Sequence, residues 1–340
     1  MGFDARAAGF RMPAEFEPHA ATWLAWPTRR ELWGEHFEEV KRDYARLARA
    51  IAAAEPVYMV ACAADVAAAR ALCGASITVV SLPIDDSWTR DSGPIFLTDA
   101  AGRLRATSWR FNAWGGKFSS YARDAALAAA IAEYLRVPLA TAEITLEGGG
   151  ILSDGRGTIF ATETCILNEN RNPGLSKQGA EREMRRMLGA AKIVWLPGDP
   201  LETGTDGHID GLFALSAPGK ALLETTPDPA DERYRILEEN RRALELARDA
   251  EGRAIEFALI PELPRSAAPA PSYCRSYVNF YIANGVVLAP TYGHALDQEA
   301  ARVLRRAFPD RRVIELPIGH IARGGGGFHC VTQQQPLSAA

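Results

Sequence analysis

A cysteine near the C-terminal end of the chain follows an unbroken run of glycines. Residues 324–327 are four glycines, and only Phe328 and His329 separate them from Cys330. Glycine places no side chain between the backbone and an approaching molecule, so the loop leaves this thiol accessible. An accessible thiol is a candidate nucleophile.

Further polar and aromatic residues precede predicted β-hairpins and could act together with the thiol. They are Trp88, Asp91, Glu147, His208 and Asp210. If residues 208–210 are extended, alternate side chains face one side of the strand, so His208 and Asp210 share a face opposite Ile209. By the same rule His329 points away from Cys330, and His208 is therefore the predicted base for the thiol.

This set of residues predicts a site for a planar cation. Three carboxylates placed together repel one another and are partly protonated unless a cation enters. Carboxylates bind a guanidinium through paired, charge-assisted hydrogen bonds, and Trp88 could stack on its plane. Because a guanidinium carbon is a poor electrophile, attack on it requires a strong nucleophile held at close range. Cys330 meets that requirement.

Taken singly, each of these residues also has an ordinary structural explanation. A free cysteine is usually a small buried apolar residue, and a lone histidine is often hydrogen-bonded in the core. Asp91 could cap a turn, Glu147 could be solvated, Trp88 could be core, and Asp85 and Asp86 could be turn residues or lie at the rim of a pocket. The functional hypothesis depends on their recurrence at equivalent places in a repeated pattern.

The repeated pattern is a hairpin followed by a helix and a strand. Glycines mark four predicted hairpin turns, at positions 102, 155, 219 and 285. Apolar residues at helical spacing follow within 37–51, 127–135, 184–188, 234–246 and 300–308, and short strands such as 193–197 and 313–317 come after them. A fifth unit can form if the strand after Cys330 pairs with the N-terminal segment, which closes a ring without open sheet edges. In such a ring, equivalent positions converge on the axis.

The composition excludes several classes of protein. The 340 residues are 47% hydrophobic and 24% charged with a net charge of -4, which suggests neither a nucleic-acid partner nor an anionic membrane. An apolar signal core and a membrane-spanning run are both absent from the sequence, so a cytoplasmic protein is expected. The five cysteines form no CxxC pair, which argues against a disulfide framework or a zinc ribbon. We expect one domain, residues 1–340, and keep a homodimer as one possible assembly.

Several spaced motifs together resemble one enzyme family over nearly the whole chain. The motifs are residues 10–19, 88–94, 147–149, 206–210, 279–285 and 324–336. They are similar to those of the agmatine deiminase family, also called the Porphyromonas-type peptidylarginine deiminase family. The resemblance implies a pentein fold, a five-bladed pseudo-symmetric α/β propeller of ββαβ units. It also implies a hydrolase without metal or cofactor that converts agmatine and water to N-carbamoylputrescine and ammonia, a step of polyamine biosynthesis.

The resemblance assigns roles to individual residues. It implies that Cys330 is the nucleophile that forms a covalent thiouronium and that His208 is the general acid and base. Asp91 and Asp210 would bind the guanidinium nitrogens, and Glu147 would support His208 and the substrate. Further expected substrate contacts are Trp88, Asp85 and Gly327. The chain departs from the family pattern at Gly327-Phe328, Gly211 and His294, and these positions bear on substrate preference.

Other functions stay open on the sequence. A zinc hydrolase could use His208, Asp210, His329 and Cys330 as ligands, although the opposed directions of His329 and Cys330 and the absence of an HExxH helix argue against it. A non-catalytic guanidine-binding protein and a deiminase of peptidylarginine or of another guanidine are further alternatives. Free arginine as substrate would need a cation for its α-carboxylate, for which Arg90, Arg171 and Arg275 are the candidates.

Overall fold

The computed structural model describes residues 2–226 and 228–338. The predicted domain 1–340 therefore includes Met1, Pro227 and residues 339–340, which lie outside the described residues. The strands are β1 (Phe10–Arg11), β2 (His19–Ala25), β3 (Val57–Ala61), β4 (Ile77–Ser81), β5 (Ile95–Asp99), β6 (Leu104–Arg110), β7 (Leu139–Thr145), β8 (Ile151–Ser153), β9 (Thr158–Thr162), β10 (Lys192–Leu196), β11 (Phe213–Ala217), β12 (Lys220–Thr225), β13 (Glu256–Pro261), β14 (Tyr281–Ala283), β15 (Val286–Thr291), β16 (Arg312–Pro317) and β17 (Gln333–Pro336).

The helices lie between these strands and match the predicted apolar periodicity. They are α1 (Arg30–Trp33), α2 (Phe37–Ala52), α3 (Val66–Cys73), α4 (Thr89–Ser92), α5 (Ala113–Gly116), α6 (Ala122–Leu135), α7 (Glu163–Ile166), α8 (Lys177–Leu188), α9 (Tyr234–Leu246), α10 (Leu296–Ala307) and α11 (Gly319–Arg323). The five long crossover helices α2, α6, α8, α9 and α10 contain the five segments that the sequence predicts, except that α10 ends at Ala307 and leaves Phe308 just outside. In α2, for example, Val40, Tyr44, Leu47 and Ile51 are fully buried because they recur every three or four residues on one side.

Five sheets share one connectivity. In each, an antiparallel pair of strands is followed by a crossover helix and a third, parallel strand, as in β8-β9-α8-β10 and β14-β15-α10-β16. The predicted turn glycines 102, 155, 219 and 285 all have positive φ, between 69° and 74°, which a residue without Cβ adopts at low cost. These are the ββαβ units of the predicted five-bladed propeller, which is confirmed.

The ring closes through the C-terminal strand, as the sequence predicts. β17 pairs antiparallel with β2, and Gln333 lies opposite Trp23. The parallel neighbours β3 and β4 complete that sheet. Cys330 lies three residues before β17, so closure of the last sheet brings its thiol to the middle of the ring.

Apolar side chains fill the space between the sheets and their helices. A small cavity is lined by residues from all five units, among them Met12, Leu152, Phe213, Phe280 and Gln334. The ends of the strands position the loops that carry the predicted site residues.

No helix among the described residues is both long and apolar enough to cross a membrane.

Candidate active site

The predicted carboxylates and the predicted base converge on the backbone of Gly149. Asp91 lies in α4, Gly149 lies in a 3-10 turn (Gly148–Gly150), and His208 immediately precedes a second such turn (Ile209–Gly211), which contains Asp210. A Cβ added to Gly149 would lie 2.6 Å from His208 Nδ1, 2.8 Å from Asp91 Oδ1 and 3.1 Å from Asp210 Oδ2. Glycine at this position therefore allows three functional groups, carried by two other units, to approach each other.

The predicted extended conformation of residues 208–210 is wrong. These residues form the start of a tight 3-10 turn instead of a strand, because the chain reverses here before entering β11. Ile209 is nevertheless fully buried, and His208 and Asp210 both face Gly149. The shared direction of the two side chains comes from the turn and not from strand alternation.

His208 lies between two carboxylates. Its Nδ1 is 3.7 Å from Asp91 Oδ1, and its Nε2 is 3.4 Å from Glu147 Oε2. Burial lowers the pKa of the imidazole, but the charge of Asp91 and the contacts with Cys165 and Glu147 outweigh it, so the pKa of His208 lies well above its ordinary value. The ring is therefore protonated at neutral pH and can donate a proton to a leaving group.

Glu147 is held ionised by a buried arginine. Arg171 donates from Nε to Glu147 Oε1 at 2.9 Å, and both side chains are almost completely buried. Burial alone would raise the pKa of the Glu147 carboxyl, but the hydrogen bond of His208 and the charge of Arg171 hold it below its ordinary value.

Both oxygens of Asp91 accept hydrogen bonds from neighbouring groups. Trp114 donates from Nε1 to Asp91 Oδ2 at 2.9 Å, and Gly149 N donates to Asp91 Oδ1 at 3.0 Å.

The thiol of Cys330 lies beside Asp210 and the amide of Asn279. Its Sγ is 3.5 Å from Asp210 Oδ2 and 3.2 Å from Asn279 Nδ2. Burial raises the pKa of the thiol, and the negative charges of Asp210 and Asp91 raise it further, well above the ordinary value for cysteine. The thiol is therefore protonated in the empty site.

The glycine run before Cys330 has a different role from the predicted one. A Cβ at Gly324 would lie 2.2 Å from the ring of Trp33, one at Gly326 would lie 2.4 Å from the ring of Trp88, and one at Gly327 would lie 2.4 Å from Asn279 Oδ1. Of the four, Gly325 alone has a positive φ, 94°. The glycines thus let protein side chains pack against the loop, and Cys330 itself is only 8% exposed. The predicted accessibility of the thiol is wrong for the empty site.

Two of the predicted substrate contacts lie in clearly different surroundings. Trp88 is buried next to the loop of Cys330 and stacks on Trp33, with ring centroids 5.8 Å apart. Asp85 accepts hydrogen bonds from Ser120 Oγ at 3.1 Å and from the backbone N–H of Arg123 at 2.9 Å, at the start of α6. Its carboxylate thus caps the start of α6, a structural role that differs from the turn or pocket-rim position considered from the sequence.

The arginines that could bind a substrate carboxylate are all engaged within the protein. Arg90 donates to Gln334 Oε1 and contacts Glu15, Arg171 contacts Glu147 and Asp206, and Arg275 contacts Glu262. All three guanidinium groups are therefore neutralised by carboxylates. None of them is a free cation next to the thiol.

One group of potential metal ligands lies at the candidate active site. Among the described residues, Glu147, Cys165 and His208 bring three such atoms within 4.8 Å of one another. The ligand set considered from the sequence, which includes Cys330, forms no such group there. Arg171 places a buried positive charge on Glu147, which opposes binding of a divalent cation. These residues fit a hydrogen-bonded acid–base pair better than a metal centre.

Trp114, Cys165 and Asn279 were missed as site residues from the sequence, and Arg171 was considered there only as a partner for a substrate carboxylate. Asn279 could have been found, because it lies just before the hairpin β14-β15, the same place in the fourth unit that Asp91, Glu147 and Asp210 occupy in the first three. Trp114, Cys165 and Arg171 lie elsewhere in their units, and no sequence pattern marks them.

Comparisons with known proteins agree on one family. The model of the family described as Porphyromonas-type peptidyl-arginine deiminase matches residues 11–336. The agmatine deiminases of Stutzerimonas stutzeri and Pseudomonas aeruginosa are each 40% identical to the chain, over 97% of it and 96% of their own length. A solved structure of the agmatine deiminase of Enterococcus faecalis superimposes with a TM-score of 0.95 at 31% identity, over 99% of this chain and 98% of that one.

Proposed function

Because the chain belongs to the Porphyromonas-type peptidyl-arginine deiminase family, we propose that it hydrolyses the guanidinium group of agmatine to N-carbamoylputrescine and ammonia. The observation that carries this proposal is the convergence of the His208 imidazole with Asp91 and Asp210 at Gly149, with the thiol of Cys330 3.5 Å from Asp210 Oδ2. These carboxylates can bind a planar cation beside the thiol. The similar agmatine deiminases support agmatine as the substrate.

In the first half of the proposed reaction, Asp91 and Asp210 bind the guanidinium nitrogens and hold the central carbon against Cys330 Sγ. The thiolate attacks this carbon and forms a C–S bond, which gives a tetrahedral adduct. His208, protonated between Asp91 and Glu147, donates its proton to one nitrogen, and the C–N bond breaks to release ammonia. A thiouronium on Cys330 remains.

In the second half, water hydrolyses the thiouronium. His208, now neutral, takes a proton from the attacking water, which forms a C–O bond to the same carbon. The C–S bond then breaks, Cys330 leaves as a thiolate, the hydroxyl of the adduct loses its proton to solvent, and the ureido product is released. Glu147 and Arg171 keep the imidazole oriented in both halves, which is the role of the third group in other nucleophile–base systems.

The substrate itself supplies the charge that activates the nucleophile. In the empty site Asp210 and Asp91 raise the thiol pKa. A guanidinium bound between them neutralises those carboxylates and adds a positive charge beside the sulfur, which lowers the thiol pKa. The proton of Cys330 leaves when the substrate binds.

Agmatine fits the charges of the site better than free arginine. An α-carboxylate would meet buried carboxylates and three arginines that are already paired, and an unpaired buried charge is costly. Peptidylarginine carries no free carboxylate and is the second candidate, favoured by the name of the family. The near-complete burial of Cys330, Asp91 and His208 opposes it, because a polypeptide is harder to admit than a small molecule.

An ammonia-release assay with agmatine, arginine and peptidylarginine tests these proposals, with Cys330→Ala as the blank. We expect release from agmatine that survives chelation and is lost on thiol alkylation. Loss on chelation would indicate a zinc hydrolase, and stoichiometric agmatine binding without ammonia release would indicate a non-catalytic binding protein. A cytoplasmic location and a homodimeric assembly stay predictions.

A further inference from the structure

A buried chain of charged groups runs from Asp210 through His329 to Glu15. His329 Nδ1 is 2.8 Å from Asp210 Oδ2, and His329 Nε2 is 2.7 Å from Glu15 Oε2. Glu15 also accepts from the backbone N–H of Ile282 at 2.9 Å and from Arg90 at 3.4 Å. His329 is 4% exposed, so its contacts with the two carboxylates are shielded from solvent.

The geometry requires a charged imidazole. A neutral ring has one N–H, so one of its two nitrogens would direct a lone pair at a carboxylate. An imidazolium donates to both Asp210 and Glu15. The charges of Asp210, His329, Glu15 and Arg90 then cancel, which is how a low-dielectric interior tolerates them.

The same carboxylate oxygen connects this chain to the nucleophile. Asp210 Oδ2 accepts from His329 Nδ1 and lies 3.5 Å from Cys330 Sγ. We propose that His329 is a positioning residue, an imidazolium that fixes Asp210 as an ionised carboxylate and limits the negative charge felt by the thiol of Cys330. The inference deepens the proposed function, on which it rests. It also gives a role to a histidine that strand alternation predicts to point away from the sulfur.

The charged groups that face the pair are consistent with this role. Asp210, Glu15 and Arg90 face His329, and His208, Asp91 and Arg90 act on Asp210. Burial and Arg90 lower the pKa of His329, but the two carboxylates outweigh them and raise it above its ordinary value. The charge and hydrogen bond of His329 in turn hold the pKa of Asp210 below its ordinary value, against the effect of burial.

The wild-type protein provides a test that needs neither substrate nor variant. In nitrogen-15 spectra of labelled histidine, both ring nitrogens of His329 should stay protonated at pH 8, well above the ordinary histidine pKa of about 6.5. His320 makes the same Nδ1 contact, 2.8 Å from Asp43 Oδ2, but has a single carboxylate partner and is partly exposed to solvent. A neutral His329 at pH 7 would overturn the proposal.

A second test measures the thiol. In His329→Gln, loss of a positive charge next to Asp210 should raise the thiol pKa of Cys330 by about one to three units. At pH 9, where Asp210 is still ionised, iodoacetamide should therefore alkylate Cys330 at least tenfold more slowly, as followed by mass spectrometry of its peptide. The matched control His320→Gln should alkylate at the wild-type rate. An unchanged rate in folded His329→Gln would contradict the role.

The pH profile separates this role from simple structural damage. If His329 acts through the thiol, the loss of kcat/KM in His329→Gln should shrink as the pH rises, whereas a smaller folded fraction would lower activity equally at every pH. If His329→Gln does not fold, the nitrogen-15 spectra of the wild-type protein still test whether His329 is an imidazolium. Failure of the proposed function would appear as no ammonia from wild-type protein, while both the spectra and the alkylation rates are independent of the substrate.

Discussion

Activation of Cys330 by its own substrate predicts that the charge of an alkylating reagent changes the pH dependence of alkylation. The perturbation is to replace neutral iodoacetamide with a haloacetamidine of similar size, which carries a planar cation into the site. In the empty site the thiol lies 3.5 Å from Asp210 and its pKa is raised well above the ordinary value.

The expected size of the effect follows from the geometry. A unit positive charge about 4 Å from the sulfur stabilises the thiolate by about 4 kcal/mol at an effective dielectric constant of about 20. Since one pKa unit corresponds to about 1.4 kcal/mol, the thiol pKa should fall by about three units. Charge neutralisation of Asp210 and Asp91 by the cation acts in the same direction.

The assay is the rate of alkylation at Cys330 between pH 6 and pH 10, followed by peptide mass spectrometry. The rate with the cationic reagent should reach its plateau about three pH units below that with iodoacetamide. Cys62 is an internal control, because it is half-buried and its thiol contacts the backbone oxygen of Ile84 instead of a carboxylate. At Cys62 the rate of alkylation should depend on pH in the same way for both reagents. The same pH dependence for both reagents at Cys330 would refute substrate activation.

Three further predictions concern single residues. Gly149→Ala should lower kcat/KM by about 100-fold or more, because its Cβ would displace His208 and Asp91; the nearby control Gly211→Ala has no atom within 4 Å of the added Cβ and should keep near-normal activity. Arg171→Gln should raise the pKa of Glu147, because His208 and Arg171 hold that pKa low in the folded protein. The acidic limb of the pH profile of kcat/KM should therefore move to higher pH. A limb that does not move would show that Arg171 does not act on the pair of His208 and Glu147. Arg233→Met should destabilise the fold by about 3 to 5 kcal/mol, because it leaves Asp199, Glu224 and Glu262 buried without their shared cation. Urea unfolding measures this loss. The control Arg241→Met in α9, whose ion pairs lie nearer the surface, should change the free energy of unfolding little.

The repeat and its closure could be predicted because their signals are local. The turn glycines at 155 and 285 mark positive φ, and the apolar period of residues 234–246 matches α9 at both ends. Pairing of β17 with β2 follows from the same pattern, since an unpaired fifth unit would leave open sheet edges. The 3-10 turn at His208 was missed because one or two residues carry too little periodicity to distinguish a turn from a short strand.

The residue types of the candidate site and their recurrence before each hairpin can be read along the chain. This pattern was enough to predict that Cys330, His208, Asp91, Glu147 and Asp210 act together. The balance of their charges depends on tertiary contacts. Arg171 on Glu147 and His329 between Asp210 and Glu15 join positions far apart along the chain. Such pairing depends on distances of a few ångströms in a low-dielectric interior, and no local pattern of residues encodes those distances.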